Sequence, residues 1–283
     1  MKQPRTASHR AYGFGLPELP EAETIARGLH AAIAGTTIRR VEVRSLKNVI
    51  APAGVDFARA VVGERVTAVK RRGKYVVFEL RSGRLLVVGL RMTGRLVTGK
   101  AKEPPSTHVV LSLSRRRRVL FADVRTFGRM RLVEAAEPWD EALGVEPLGA
   151  GFTVEAFAGM LAGRKTPVKV LLLDQRRIAG IGNIYACEAL WEAGIRPRRP
   201  SKSLTEAAAA RLHRAVIEVL NRAIALRGSS IDDYVDARGA KGAFQEVLSV
   251  YGREGSPCPR CGKEIVRTML GQRGTWWCRS CQH

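Results

Sequence analysis

The sequence predicts a multi-domain α+β protein: an N-terminal β-sandwich with a leading helix, then a helical domain, then a small C-terminal module built on cysteines. Three observations predict it. A helical pattern beginning near residue 17 gives way to short Val-, Leu- and Phe-rich runs, punctuated by glycine, up to residue 134. From residue 154 to 226 the apolar periodicity is helical. Four of the five cysteines then stand in two Cys-x-x-Cys pairs.

Taken in order, the leading helix opens in Pro17-Glu18-Leu19-Pro20-Glu21-Ala22-Glu23-Thr24. Ile25, Leu29 and Ile33 recur every four residues, and Gly35 lies just past the end. Prolines fit a first turn, and Glu18, Glu21 and Glu23 suit the positive end of the helix dipole. Strands are expected over 37–44, 66–70, 75–80, 84–90, 108–113 and 118–123. Val109, Leu111 and Leu113 take one face of their strand and Ser112 the other. Gly63, Gly73, Gly83, Gly94 and Pro104-Pro105 separate these runs; frequent turns without long helices between them fit two packed layers. Pro138, Gly144, Pro147, Gly149 and Gly151 mark 137–151 as a linker. Helices follow over 154–162, 168–174, 183–193 and 204–226, with Gly194 and Pro197 stopping the third. A basic connection, 196–200, precedes the longest helix, and a glycine-rich loop, 237–242, precedes the cysteine module. The expected division is 16–136 for the sandwich, 152–236 for the helical domain and 237–283 for loop and cysteine module, with 1–15 as an extension.

Composition narrows the function classes. Over 283 residues, 48 Lys+Arg against 26 Asp+Glu leave a net charge of +22, which suits a polyanion. Nucleic acid is the default partner over a membrane, the bland alternative being a merely basic surface. No apolar run approaches the roughly 18 residues of a membrane span. Residues 1–15 lack the apolar stretch of a secretory signal; being acid-free with Ser and Arg, they leave a short transit peptide as an alternative. Paired cysteines argue for a reducing compartment and a metal site.

Cys258-x-x-Cys261 and Cys278-x-x-Cys281, separated by sixteen residues, have the spacing of tetrahedral zinc, with a redox pair of disulfides as the alternative. Cys187, in an apolar helix, reads as core. Ile178-Ala179-Gly180-Ile181-Gly182-Asn183 offers small residues at a helix start, where backbone N–H groups can approach a phosphate. Arg71-Arg72-Gly73-Lys74-Tyr75 opens a strand and by itself reads as solvated charge. Met92, Arg125 and Phe127 each read, alone, as structural residues.

Together these runs resemble the formamidopyrimidine-DNA glycosylase family. PELPEAET, RRGKY, LRMTG, DVRTFG, AGIGNIYACEAL after TPVKVLLLDQ, and QRGT between the cysteine pairs stand in the family's order across residues 16–283. The resemblance implies a helix–two-turn–helix domain, one structural zinc on Cys258, Cys261, Cys278 and Cys281, and a monomer acting on double-stranded DNA in the cytoplasm, at a bacterial-type nucleoid. It implies that Pro17 is the nucleophile, Glu18 its acid/base partner, and Lys74 a pocket group reaching the scissile nucleotide. Arg273 would hold flanking phosphates and aid the last elimination. Met92 and Phe127 would fill the stack vacated by an extruded base, with Arg125 on the orphaned partner, preferring cytosine. His108, Arg164, Lys165 and Asn183 complete the implied DNA contacts, and 238–244 is where a lesion-capping segment would lie.

The implied activity is a bifunctional glycosylase and AP lyase for 8-oxoguanine and formamidopyrimidines. The alternatives are the endonuclease VIII branch, for oxidised pyrimidines, and a DNA-binding protein without catalysis. The chemistry needs a proline amine: an α-amino group near pKa 8 is roughly one-tenth neutral at pH 7, whereas a lysine near 10.4 is neutral to well under about one part in a thousand. In this sequence sixteen residues precede Pro17, making its nitrogen an amide. Leu16 stands where the family has its initiator methionine, so translation from position 16, or proteolytic removal of 1–16, is expected to free it. Three departures bear on substrate range: Val124 for a common proline, Gly89 for a common histidine, and Asp232 for a lysine found in some members.

Overall fold

A computed structural model describes residues 17–99, 103–135, 137–231 and 234–283. Helix α1 (Leu19–Ile33) puts Ala22, Ile25, Ala26, Leu29 and Ile33 into the first core, as its four-residue spacing requires. Two sheets enclose that core. One has the order β1-β7-β8-β6, from β1 (Ile38–Val43), β6 (Gly94–Thr98), β7 (Thr107–Leu113) and β8 (Arg117–Asp123). The other runs β2-β9-β5-β4-β3, from β2 (Val49–Ile50), β3 (Val66–Arg72), β4 (Tyr75–Leu80), β5 (Leu85–Gly89) and β9 (Arg129–Val133). A short α2 (Phe57–Val61) closes one end, capped by Asp56.

The sequence pattern missed β2, β6, β9 and α2. In β9, Arg129 and Arg131 alternate with buried Met130 and Leu132, so a strand with one basic face was hidden in a run that reads as polar. Gly94 acts as the first residue of β6 rather than as a separator. A Cβ there would meet the Leu90 carbonyl oxygen at 2.2 Å, so the turn 90–94 closes only on glycine.

The helical half comprises α3 (Val154–Leu161), α4 (Val168–Leu173), α5 (Asn183–Glu192) and α6 (Glu206–Ala225). Its core includes Phe157, Leu172, Tyr185, Leu190, Leu212 and Val216, and it is continuous with Ile265 and Trp276 of a terminal hairpin, β10 (Ile265–Leu270) and β11 (Arg273–Cys278). Thr153 and Thr205 cap α3 and α6 through their side chains.

The two halves interlock rather than abut. Leu19, at the start of α1, is packed in the helical core, and its N–H donates to Gly180 O at 3.1 Å. In return, Tyr234 and Ala237, beyond α6, are packed in the sandwich core. Segment 137–151 is irregular, as expected of a linker, but firmly bonded: Glu146 accepts from Arg71 (2.5 Å), Arg72 (3.1 Å) and Gly73 N–H (2.6 Å), and Asp140 from Arg72 (2.7 Å). Residues 1–16 and Asp232 lie outside the described residues, and the expectations that fell on them are untouched. No helix among the described residues is long and apolar enough to cross a membrane.

Candidate active site and nucleic-acid interface

The N-terminal motif sits at the junction of the halves. Pro17 and Glu18 are buried, and Pro17 lines a cavity of about 70 Å³ with Lys74, Tyr75, Leu90, Arg91 and Gln175. The Glu18 carboxylate reaches the N-terminus of α5, accepting from Ile184 N–H at 3.1 Å and Tyr185 N–H at 3.5 Å. Among the described residues, the anion at this helix start is the chain's own Glu18 carboxylate. A Cβ on Gly182 would lie 2.2 Å from the Glu18 carboxyl carbon, and one on Gly180 would strike Leu19 at 2.8 Å, so the small residues make room for the motif.

Burial raises the Glu18 pKa to about 7; the Lys74 charge and the two α5 N–H groups oppose the shift, and neighbouring Glu21 adds to it. Lys74 answers in kind. Withdrawal from water pushes its ammonium pKa down, Glu18 draws it back up, and Arg273 lowers it further. A carboxylic acid near neutrality beside a depressed lysine can give and take protons at physiological pH.

Glu21, an acid in the first turn of α1, is buried. Its carboxylate accepts from Glu18 N–H (2.8 Å), Ser229 N–H (2.8 Å) and the Tyr185 hydroxyl, and desolvation raises its pKa. It joins α1, α5 and the loop after α6 at one point. A signal was available: Glu21 precedes Ile25, Leu29 and Ile33 by the same four-residue step and so belongs to their buried stripe. Arg71 and Arg72 likewise are not solvated. They clamp Glu23, Glu146 and Asp140, which fixes the turn that carries Lys74.

A second set gathers at the adjoining sandwich edge. The buried Asp123 carboxylate accepts from the Thr93 hydroxyl, Arg125 N–H (3.2 Å) and Gly128 N–H (2.6 Å), tying the 90–94 turn to the 124–128 loop. Met92, Arg125 and Phe127 are thereby brought to one place. The Arg125 guanidinium lies 5.0 Å over the Phe127 ring, and Phe127 is 49% exposed although fully apolar. His108 Nε2 lies 2.7 Å from Asp123 O, which ties its ring to the same loop. Val124 is exposed. Gly89 abuts the Tyr75 ring, where a Cβ would lie at 3.0 Å.

Around the zinc hairpin, fully buried Lys169 donates to Asn183 Oδ1 (2.6 Å), Gly274 O (3.0 Å) and Thr275 Oγ1 (2.7 Å), and Asn183 Nδ2 donates to Gly274 O at 3.0 Å. The start of α5 is thus fastened to the strand that begins at Arg273, itself exposed at the hairpin turn. Arg164 and Lys165 are exposed beyond α3. Cys187 is buried and inert.

The four paired cysteines have their sulfurs within 4.8 Å of one another. Cys258 and Cys281 sulfurs are 3.9 Å apart, and Cys261 and Cys278 3.5 Å. Tetrahedral zinc with bonds of about 2.3 Å spaces its sulfurs by about 3.8 Å. The quartet therefore fits one structural zinc, with no open position for chemistry.

Three family models match in sequence: the formamidopyrimidine-DNA glycosylase N-terminal domain over residues 16–130, its H2TH domain over 143–235, and the zinc finger found in FPG and IleRS over 255–283. The formamidopyrimidine-DNA glycosylase of Moorella thermoacetica is 50% identical over 258 residues, covering 89% of this chain and 94% of that protein. The crystal structure of the MutM (Fpg) protein from Thermus thermophilus superposes with a TM-score of 0.83 at 42% identity, covering 94% and 98% of the two chains. A complex between the Lactococcus lactis Fpg and DNA containing an abasic site gives 0.85 at 35%, covering 94% and 99%. Matched by these domains in their order over 16–130, 143–235 and 255–283, and half identical to a relative over most of its length, the chain belongs to the formamidopyrimidine-DNA glycosylase family.

Proposed function

We propose that this chain excises oxidised purines, 8-oxoguanine and formamidopyrimidines, from double-stranded DNA and then cleaves the abasic strand, using Pro17 as nucleophile. The observation that carries the reading is the cavity that Pro17 shares with Lys74, with the buried carboxyl of Glu18, next to Pro17 in the chain, raised to a pKa of about 7. The Pro17 amine attacks C1′ as the glycosidic bond breaks, and the base leaves with the proton given up by the proline nitrogen; Glu18 then protonates the ring oxygen O4′ as the C1′–O4′ bond opens to the iminium. The resulting iminium is the electron sink for β- and then δ-elimination, with Lys74 at the scissile nucleotide and Arg273 on the flanking phosphates. Met92 and Phe127 fill the gap left by the extruded base, and Arg125 faces its partner.

On the helical side Arg164 and Lys165 contact phosphate. Asn183 contacts phosphate as well, through the amide N–H left over from its bond to Gly274 O, and braces the Arg273 hairpin. His108 supports the same surface by holding the loop at Asp123. Zinc keeps the hairpin folded. The protein works as a monomer, in the cytoplasm at the nucleoid. Pro17 acts only with a free nitrogen, so the working form begins at Pro17.

Borohydride trapping tests this. The form starting at Pro17 should give a covalent adduct with abasic-site DNA, lost in Pro17→Gly; no adduct from that form would leave a DNA-binding protein without catalysis. Faster release of 8-oxoguanine than of thymine glycol is expected, and the reverse order would favour the oxidised-pyrimidine branch.

A further inference from the structure

The turn between β7 and β8 is built against its own backbone preference. Arg117 N–H meets Ser114 O at 3.5 Å, and the two central residues, Arg115 and Arg116, both hold positive φ, 58° and 54°. A tight hairpin turn with two such residues is the place for Asn-Gly, because side chains with a Cβ are disfavoured there. The β3–β4 and β10–β11 turns each keep a glycine, Gly73 at φ 57° and Gly271 at 58° beside Gln272 at 60°, whereas this turn has none. Two consecutive arginines kept in a left-handed turn point to a use for their charge.

The neighbours agree. Ser114 N–H bonds Thr37 O at 2.7 Å, which draws the start of β1 to the tip, and Arg40 and Arg118 both pair with Ser112, on one face. Arg39, Arg40, Arg115, Arg116 and Arg118 are exposed. Glu103 takes Arg118, at 3.6 Å, and Arg44; among the described residues none of Arg39, Arg40, Arg115 and Arg116 pairs with a carboxylate. Free guanidinium groups bind phosphate oxygens. This tip is six residue steps of β8, roughly 20 Å, from Asp123 and the loop of Arg125 and Phe127.

We infer that the Arg115-Arg116 tip, with Arg39, Arg40 and Arg118, is a second phosphate-binding surface that takes a DNA segment other than the one in the cleft. The protein can then pass from one duplex to another without first dissociating. This rests on the proposal that the cleft binds DNA.

The zinc-loaded full chain would be bound to a short labelled duplex carrying a stable abasic analogue, and its release followed against rising concentrations of unlabelled, undamaged duplex. For the wild type the release rate should climb with competitor. In R115N/R116G, which restores the favoured turn, the slope should fall at least fivefold, affinity for the short duplex should stay within twofold, and the melting temperature should rise by roughly 2–4 °C. R40S/R118S, on regular strand positions, should lower the slope as well. A slope unchanged in both variants overturns the inference. So does a parallel loss of short-duplex affinity, since the tip would then grip the DNA already in the cleft. If the wild type fails to hold the labelled duplex at all, the cleft reading falls instead. The tip is then judged by retention of the undamaged duplex, which both variants should still lower at least fivefold; equal retention refutes it.

Discussion

The pocket at Pro17 and the loop at Phe127 adjoin one another and are built on opposite principles. Around Glu18 polar groups are buried and bonded to partners far away in sequence, and removal from water sets their proton affinity. Around Asp123 the bonded groups lie underneath, and the apolar Phe127 side chain is left facing out. In the proposed function this difference is what the roles require: a proton-transfer site gains from a low dielectric and fixed donors, whereas a wedge must be free to enter a base stack. One site is tuned by burial and the other by exposure.

The contrast can be broken most severely at Glu18. In the form beginning at Pro17, Glu18→Gln should lower base excision by about 10²–10⁴-fold in single-turnover assays, the range for losing a positioned proton donor, with DNA affinity little changed. A smaller effect would deny the buried carboxyl its role. Gly182→Ala comes next, because a methyl group would occupy the carboxylate's place. Excision should fall by at least about tenfold, while zinc content and circular dichroism stay as in the wild type.

The same carboxyl should appear in stability. Its pKa is about 4.5 in the unfolded chain and about 7 when folded, so the folded state holds the proton more tightly. The associated stability is complete below pH 4.5 and is lost as pH rises towards 7, on the order of 3 kcal/mol. Denaturant titrations of wild type and Glu18→Gln should diverge across that window, the wild type losing stability and the variant not. Parallel curves would mean that Glu18 is hydrated.

The smallest stability effect belongs to the exposed side. Phe127→Ala should change unfolding free energy by no more than about 0.5 kcal/mol, as an exposed residue, yet weaken binding to lesion duplexes. Arg125→Ala should mainly relax discrimination between cytosine and adenine opposite the lesion. A large loss of fold stability in Phe127→Ala would erase the distinction between the two regions.

Much of this site was legible in local runs. The cysteine spacing gave the zinc quartet because two short turns fix four sulfurs with little help from the rest of the chain. The leading helix, the longer strands and the four main helices followed from periodicity. The charged residues were harder. No motif singles out Glu146, Asp140 or Lys169, since a charged side chain carries no local sign of the partner that will meet it.

The sequence by itself determined the family and the metal ligands, because these reside in residue types at short fixed spacings. Only the tertiary structure decided that the glycines before α5 admit Glu18, that the 137–151 segment clamps the Lys74 turn, and that two arginines occupy a left-handed turn. The reason is physical. Burial and hydrogen-bond satisfaction depend on groups brought together from as far apart as Glu21 and Ser229, 208 positions along the chain, and such pairings exist only once the chain has packed.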